Sequence, residues 1–334
     1  MRFKPLSATV KTSEKSDPSR CVQFLEVPAH ADGQRIDNFL MTRLKGVPRS
    51  HIYRLIRKGE VRVNKKRVKA ETRIQTADLV RLPPVRVAVA DHVQPPSEAL
   101  IALLRDAVLY ENEQILVINK PQGLAVHMGS GLQTGLIEAI RWIRSRDADE
   151  APYLELAHRI DKETSGCILI AKNPLVLKHL QAEFKVRNVQ KSYQLIVHGK
   201  WPHDLLEVNA PLLRRDSQDS EKIVTVSTEG KPSITRFKIL EQYEKTSFIE
   251  AIPLSGRTHQ IRVHAQHAGH PIVGDPKYTN RLHSALDRQF RLCLHAASLS
   301  FHLAEGEQIK VSAPLQQNMS QLLETLHKSS KRFS

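Results

Sequence analysis

The chain has 334 residues, 40% hydrophobic and 25% charged, with 50 Lys and Arg against 35 Asp and Glu for a formal net charge of +15. This is ordinary for a folded protein with one large domain and a smaller one. A membrane-spanning helix is excluded, because no run of about 18 apolar residues occurs, and the basic, polar N-terminus lacks the apolar stretch of a secretory leader.

Residues 1–25 are polar and rich in Ser and Lys and are expected to form a disordered tail. From Ile36 the pattern turns helical, with Ile36, Phe39, Leu40 and Leu44 on one face at the 3.6-residue period. Val47-Pro48 breaks that helix. Ser50 is placed to cap a second one, whose apolar residues are Ile52, Leu55 and Ile56 and whose stop signal is Gly59. Short strands follow at 61–63 and 79–82, the first ending in a turn at Asn64-Lys65-Lys66. Residues 26–83 thus read as a small helix–helix–strand unit. Residues 33–90 hold 15 Lys and Arg and 4 Asp and Glu, so this stretch carries +11 of the +15. Such density inside a foldable segment points to a polyanion, with nucleic acid favoured over a membrane surface because no aromatic amphipathic helix accompanies it.

Prolines 83, 84, 95 and 96 mark residues 84–100 as an extended linker. A second pattern covers 101–325. VLYENEQILVINKP reads as two strands around a turn, glycines 129, 131 and 135 mark a loop, and LIEAIRWIRSR is an amphipathic helix. After LELAHRID come the strand CILIAKN, the helix LVLKHLQAEFKVRN and the strand KSYQLIVHG. ITRFKILEQY, SFIEAIPL and LSFHL read as further strands, with HQIRVHAQHAG as a helix among them. Strands outnumber helices and arrive in hairpin-like runs, which predicts an α+β domain on a largely antiparallel mixed sheet. The three cysteines, Cys21, Cys167 and Cys293, lie far apart without metal or redox spacing, as suits a reducing cytoplasm. No heptad or apolar stripe demands a second subunit, so a monomer is expected.

Three segments could carry chemistry. HRIDKETSG, residues 158–166, is a polar loop between apolar strands, where catalytic groups are commonly presented. From spacing alone, an ordinary salt-bridged turn in which Asp161 pairs with Arg159 or Lys162 is the favoured reading. Residues 254–275 crowd Arg257, His259, Arg262, His264, His267 and His270. Zinc is disfavoured there, because no HExxH pattern, Cys pair or carboxylate ligand completes a site. Tyr193 alternates with apolar neighbours in KSYQLIVHG, as half-buried core tyrosines do.

HRIDKETSG resembles the signature HRLDxxTSG of the RluA-type pseudouridine synthases, with Ile160 in place of Leu. KPQGLAVH, KSYQLIVHG and GRTHQIRVHAQHAGHPIVGD resemble that family's other motifs, in the family's order. QRIDNFL, RSHIYRLIRKGEVRVNKKRV and ADLVRL resemble the S4 RNA-binding module. Together the resemblance covers about residues 33 to 315. It implies a small S4-type unit ahead of a catalytic domain that isomerises uridine in structured RNA, with large-subunit ribosomal RNA as the partner and neither cofactor nor metal. It further implies Asp161 as nucleophile, Arg262 as its cationic neighbour, and Tyr193 as the residue that stacks on a flipped uracil and helps remove the C5 proton. Arg159 is implied as the filler of the vacated place in the RNA stack. In the S4-like unit, Arg49, Arg54, Arg57, Lys65, Lys66 and Arg67 are expected to contact phosphates, with binding that weakens steeply with salt. The rival readings are a non-enzymatic S4-type RNA-binding protein, which leaves residues 100–320 without a task, and a metal-dependent nuclease, which lacks a carboxylate cluster.

Overall fold

A computed structural model describes residues 22–44, 47, 49–84, 95–127, 134–147, 151–216, 222–279 and 284–330. The chain forms two units divided between residues 93 and 94. The first contains β1 (Gln23–Glu26), α1 (Ile36–Arg43), α2 (Arg49–Lys58), β2 (Arg62–Val63), β3 (Lys66–Arg67) and β4 (Leu79–Leu82). Its sheet is antiparallel in the order β1-β4-β2-β3. Ile36, Phe39 and Leu40 of α1 and Ile52, Leu55 and Ile56 of α2 are buried against Val63 and Val80, as the helical period predicts. Gly59 ends α2 at φ +73, and an added Cβ would lie 2.3 Å from Arg67 Nε. The helix starts at Arg49, so Ser50 lies inside it and is not its cap.

Between β2 and β3 the chain turns through Asn64 and Lys65, both at positive φ (48° and 68°). This is the geometry of the tight primed hairpin turn, which favours Asn followed by Gly. Asn64 fits, and its side chain receives the Leu79 N–H and donates to Asp78. Lys65 stands where glycine is preferred.

The second unit contains α3 (Glu98–Asp106), β5 (Val108–Glu111), β6 (Ile115–Lys120), α4 (Leu136–Arg146), β7 (Glu155–Leu156), β8 (Ser165–Ala171), α5 (Pro174–Val186) and β9 (Gln190–His198). These are followed by β10 (Glu207–Asn209), β11 (Leu212–Asp216), β12 (Lys222–Val226), β13 (Ile234–Gln242), β14 (Thr246–Pro253) and α6 (Gln260–His267). The unit ends with α7 (Ala285–Gln289), β15 (Leu294–His302), β16 (Gln308–Ser312) and α8 (Gln317–Ser330). A ten-stranded sheet runs β10-β13-β14-β9-β15-β8-β6-β5, with β16 on β15 and β7 on β8. Pairing is antiparallel except between β15 and β8, which makes the unit α+β with a mixed, mostly antiparallel sheet. Strand alternation sorts the core. Leu116, Ile118, Ile168 and Ile170 face α4, while Ile115, Val117, Cys167 and Leu169 share the other layer with Leu180 of α5.

Several boundaries differ from the sequence reading. The tail expected over 1–25 gives way to β1 at Gln23, a four-residue strand too short and too exposed to stand out as a buried apolar pattern. The linker expected over 84–100 ends earlier, because Ser97 caps α3 by accepting the Leu100 N–H. The last domain runs past 325 through α8, whose Met319, Leu322 and Leu323 enter the core. Cys21, Pro48, Gly129, Gly131, residues 1–20 and most of the linker lie outside the described residues. Among the described residues, no helix is long and apolar enough to cross a membrane.

Candidate active site

Asp161 occupies the connection between β7 and β8, and the backbone of that loop is held from several sides. Thr164 N–H donates to Asp161 O at 3.1 Å, closing a turn around the carboxylate. Lys162 O accepts from Gly123 N–H at 2.9 Å and from Lys120 Nζ at 3.0 Å, and Glu163 O accepts from Gln122 Nε2 at 2.9 Å. The KPQG segment thus serves as the loop's bracket. Lys120 is fully buried and also donates to the carbonyls of Pro121 and Leu124, at 3.0 and 2.8 Å. Burial pushes its pKa down to about 7, with Glu163 and Asp161 opposing; its three carbonyl acceptors match the three protons of the charged form.

His158 accepts the Leu169 N–H on Nε2 at 3.0 Å, and burial pushes its pKa down to about 3, so it is a neutral structural group. Ser165 Oγ pairs with His295 Nδ1 at 2.9 Å. Gly166 has φ +106, and an added Cβ would lie 2.2 Å from Ala296 O. That close approach sets the geometry of the site, because Ala296 of β15 is flanked by Gly166 on one side and by Tyr193 of β9 on the other.

A cleft of about 530 Å³ opens at this edge of the sheet, lined by Arg159, Asp161, Tyr193, His259 and Arg262 among others. The segment after β14 closes its far wall and leads into α6. His259, left-handed at φ 54, precedes that helix, and Arg262 lies on its first turn. The Asp161 carboxylate is 26% exposed and faces Arg262 Nη1 and His259 Nε2, each at 3.9 Å. Neither Arg159 nor Lys162 forms the ion pair expected of an ordinary turn; both side chains are exposed.

Arg262 is itself anchored. Its Nε and Nη2 donate to the two oxygens of Asp275 at 2.8 and 2.7 Å, and the Asp275 side chain is fully buried. Asp275 also accepts the N–H groups of Lys277 and Tyr278. Burial works against the Arg262 charge, but the paired bonds to Asp275, reinforced by Asp161, prevail and raise its pKa. The guanidinium lies 5.0 Å from the Tyr278 ring centre. Tyr278 Oη accepts the Val224 N–H and pairs with His259 Nδ1 at 2.7 Å. His259 Nε2 is left facing Asp161. Burial lowers the His259 pKa, with Arg262 adding and Asp161 opposing. Burial, with the Asp161 charge, raises that of Tyr193, so its phenol stays protonated at neutral pH.

Asp275, Tyr278 and Lys120 had no role assigned from sequence. Each is visible only once the fold closes, although Asp275 ends the GRTHQIRVHAQHAGHPIVGD segment. The histidines do not converge. His264 is buried among Ser233, Thr235 and Ala210 O, His267 is exposed, and His270 binds His198 O. Among the described residues, no cluster of three or more His, Cys, Asp or Glu is placed to hold a metal. In the first unit Arg54, Arg57, Lys65, Lys66 and Arg67 are exposed, with Arg67 also donating to Lys58 O at 3.1 Å. The Arg49 side chain lies outside the described residues.

The model of the RNA pseudouridylate synthase family matches residues 114–267, which include Asp161, Tyr193 and Arg262, and the S4 domain model matches residues 34–80. The chain belongs to the RNA pseudouridine synthases, enzymes that isomerise uridine in RNA, and carries an S4 domain ahead of the synthase domain. The Vibrio cholerae serotype O1 protein named Ribosomal large subunit pseudouridine synthase C is 48% identical over 309 residues, covering 90% of this chain and 96% of that protein. Its namesake in Escherichia coli (strain K12) is 47% identical over 320 residues, covering 91% and 97%. Among solved structures, Human RNA Pseudouridylate Synthase Domain Containing 1 has a TM-score of 0.55 at 26% identity, covering 70% of this chain and 97% of its own.

Proposed function

We propose that this enzyme converts specific uridines of large-subunit ribosomal RNA to pseudouridine, with Asp161 as nucleophile. The observation that carries this reading is the Asp161 carboxylate facing Arg262 and His259 in a cleft that also holds Tyr193 and Arg159. The reaction breaks the N1–C1′ bond and joins C5 to C1′. C5 gives up a proton and N1 gains one, so nothing is oxidised or hydrolysed. Inside a helix that bond is covered by neighbouring bases, so the uridine is flipped into the cleft at an unstacking cost of a few kcal/mol.

Asp161 then adds to uracil C6, traps C1′, or assists elimination to a glycal. All three routes need a carboxylate held in a water-poor site, which the Arg262 charge, with His259 beside it, favours. Tyr193 presents its ring to the uracil and, with its phenol protonated, acts as a surface and hydrogen-bond donor instead of a base. Arg159, exposed at the rim, fills the vacated place in the RNA, which a planar cation suits. Arg49, Arg54, Arg57, Lys65, Lys66 and Arg67 supply phosphate contacts from the S4 domain, and the left-handed Lys65 accepts backbone strain at the tip of a turn to present its charge. Work on ribosomal RNA would be done in the cytoplasm. The relatives' printed names support the choice of RNA.

The test supplies transcripts of large-subunit RNA, small-subunit RNA and transfer RNA, each labelled with tritium at uridine C5. Release of tritium to water from the large-subunit transcript alone is expected. Release from another RNA but not from this one overturns the substrate assignment.

A further inference from the structure

A second group of cations lines the same cleft, away from Arg262. Lys185 and Arg187 come from the end of α5, and Lys191 from β9. Lys191 is two residues before Tyr193, so both side chains leave the strand on one face. Its ammonium is half-buried, yet among the described residues it has neither an acidic partner within ion-pair distance nor a side-chain hydrogen bond. Burial lowers its pKa, and repulsion from Arg187 lowers it further. His158, neutral and occupied by the Leu169 N–H, offers no counter-charge. Glu183, one turn back on α5, is engaged by Asn188 at 3.4 Å.

Arg187 has φ 65 and ψ 25, the left-handed cap position where glycine is usual. Helix-dipole complementarity accounts for basic residues at the end of α5. It does not account for Lys191, which is on a strand and partly withdrawn from water. Burying one ammonium beside a guanidinium without an anion is unfavourable, and a bound anion relieves both penalties.

We propose that Lys185, Arg187 and Lys191 form a seat for a backbone phosphodiester of the substrate RNA, next to the nucleotide that enters the Asp161 cleft. This rests on the assignment of that cleft as the uridine site. A phosphodiester fits because it accepts from a guanidinium fork and an ammonium together. Gripped at this point, the strand is fixed in register beside Tyr193, while sequence is left to be read elsewhere. The seat contributes to RNA affinity and leaves the chemical step alone.

The experiment measures binding of the full-length protein to a large-subunit RNA transcript across a salt series, together with steady-state tritium release. In Arg187→Gln/Lys191→Met, loss of one or two single-strand phosphate contacts should make the slope of log K against log salt shallower by about 0.7–1.4 and weaken binding about five- to twenty-five-fold at 0.1 M salt. KM should rise in parallel, with kcat at saturating RNA retained. Lys191→Arg, which keeps the charge, should restore most of the affinity. Lys178→Met removes one positive charge from an exposed part of α5 outside the cleft and should leave the slope unchanged. An unaltered slope and KM in the double variant overturn the seat, as does an equal change in Lys178→Met. A wild-type protein that releases no tritium from any RNA is a failure of the cleft assignment, and the salt slopes still decide on the seat.

Discussion

Arg262 has two carboxylate neighbours, and their distances separate two tasks. Asp275, bound through two short hydrogen bonds and fully buried, fixes the guanidinium in place. Asp161, at 3.9 Å and partly exposed, is the group that the fixed charge serves in the proposed reaction. Arg262→Leu therefore strands the Asp275 carboxylate in the core and should cost about 3–5 kcal/mol of stability. Adding Asp275→Leu removes the orphan and should recover much of that loss, as read from urea midpoints. Activity should stay absent in both, because neither variant restores a cation beside Asp161. Recovery of activity in the double variant would contradict this division. His158 gives a pH prediction. Its pKa is lowered from an ordinary 6.5 to about 3, so the unfolded chain binds a proton that the folded chain excludes between those values. Its contribution is complete above about pH 6.5 and is lost as the pH falls toward 3. His158→Gln should flatten stability against pH over that window, even if it lowers stability throughout.

At the level of elements, the site depends on three adjacent strands meeting at Gly166, Ala296 and Tyr193. Gly166→Ala places a methyl 2.2 Å from a backbone oxygen, at a φ that suits only glycine. It should cost about 2–4 kcal/mol and lower Tm by roughly 5–10 °C, with activity falling further than the folded fraction, because Asp161 and Tyr193 are pushed out of register. A Tm within 2 °C of wild type, in a scanning calorimeter, would remove that role. The same scale explains which elements were legible. α4 and α5 announce themselves by periodic apolar residues, although α5 begins at Pro174, one residue before the apolar pattern, with Asn173 capping it through the Val176 N–H. β10 and the β11–β12 hairpin are short, and α8 follows a polar stretch, so local pattern says little about them. Asp161 was readable only through the resemblance of its loop to a known one, since by spacing alone it suited a salt-bridged turn. Asp275 and Tyr278 were not readable at all as site residues. Their meaning comes from a loop that folds back onto α6, and no period in the sequence encodes that contact.

For the whole molecule, charge and chemistry fall in different parts of the chain. Residues 33–90 carry +11, whereas the Asp161 cleft lies entirely in the second unit. Under the proposed function the S4 domain supplies a large share of the affinity, the Lys191 seat adds to it, and the synthase domain carries the reaction. A chain lacking residues 1–93 should fold, since among the described residues its sheet and core draw on none from the first unit. It should bind large-subunit RNA more weakly and with a shallower salt dependence, by roughly 0.7–0.9 in slope for each phosphate contact removed. An insoluble remainder, or unchanged binding, would contradict that separation.

The most direct measurement replaces one atom group in the proposed nucleophile. Asp161→Asn keeps the size of the side chain and the loop around it, and removes the charge that faces Arg262. With large-subunit RNA labelled with tritium at uridine C5, the wild-type protein should release tritium to water, and Asp161→Asn should release none while binding the RNA with similar affinity. Equal release by the two proteins would remove Asp161 from the mechanism.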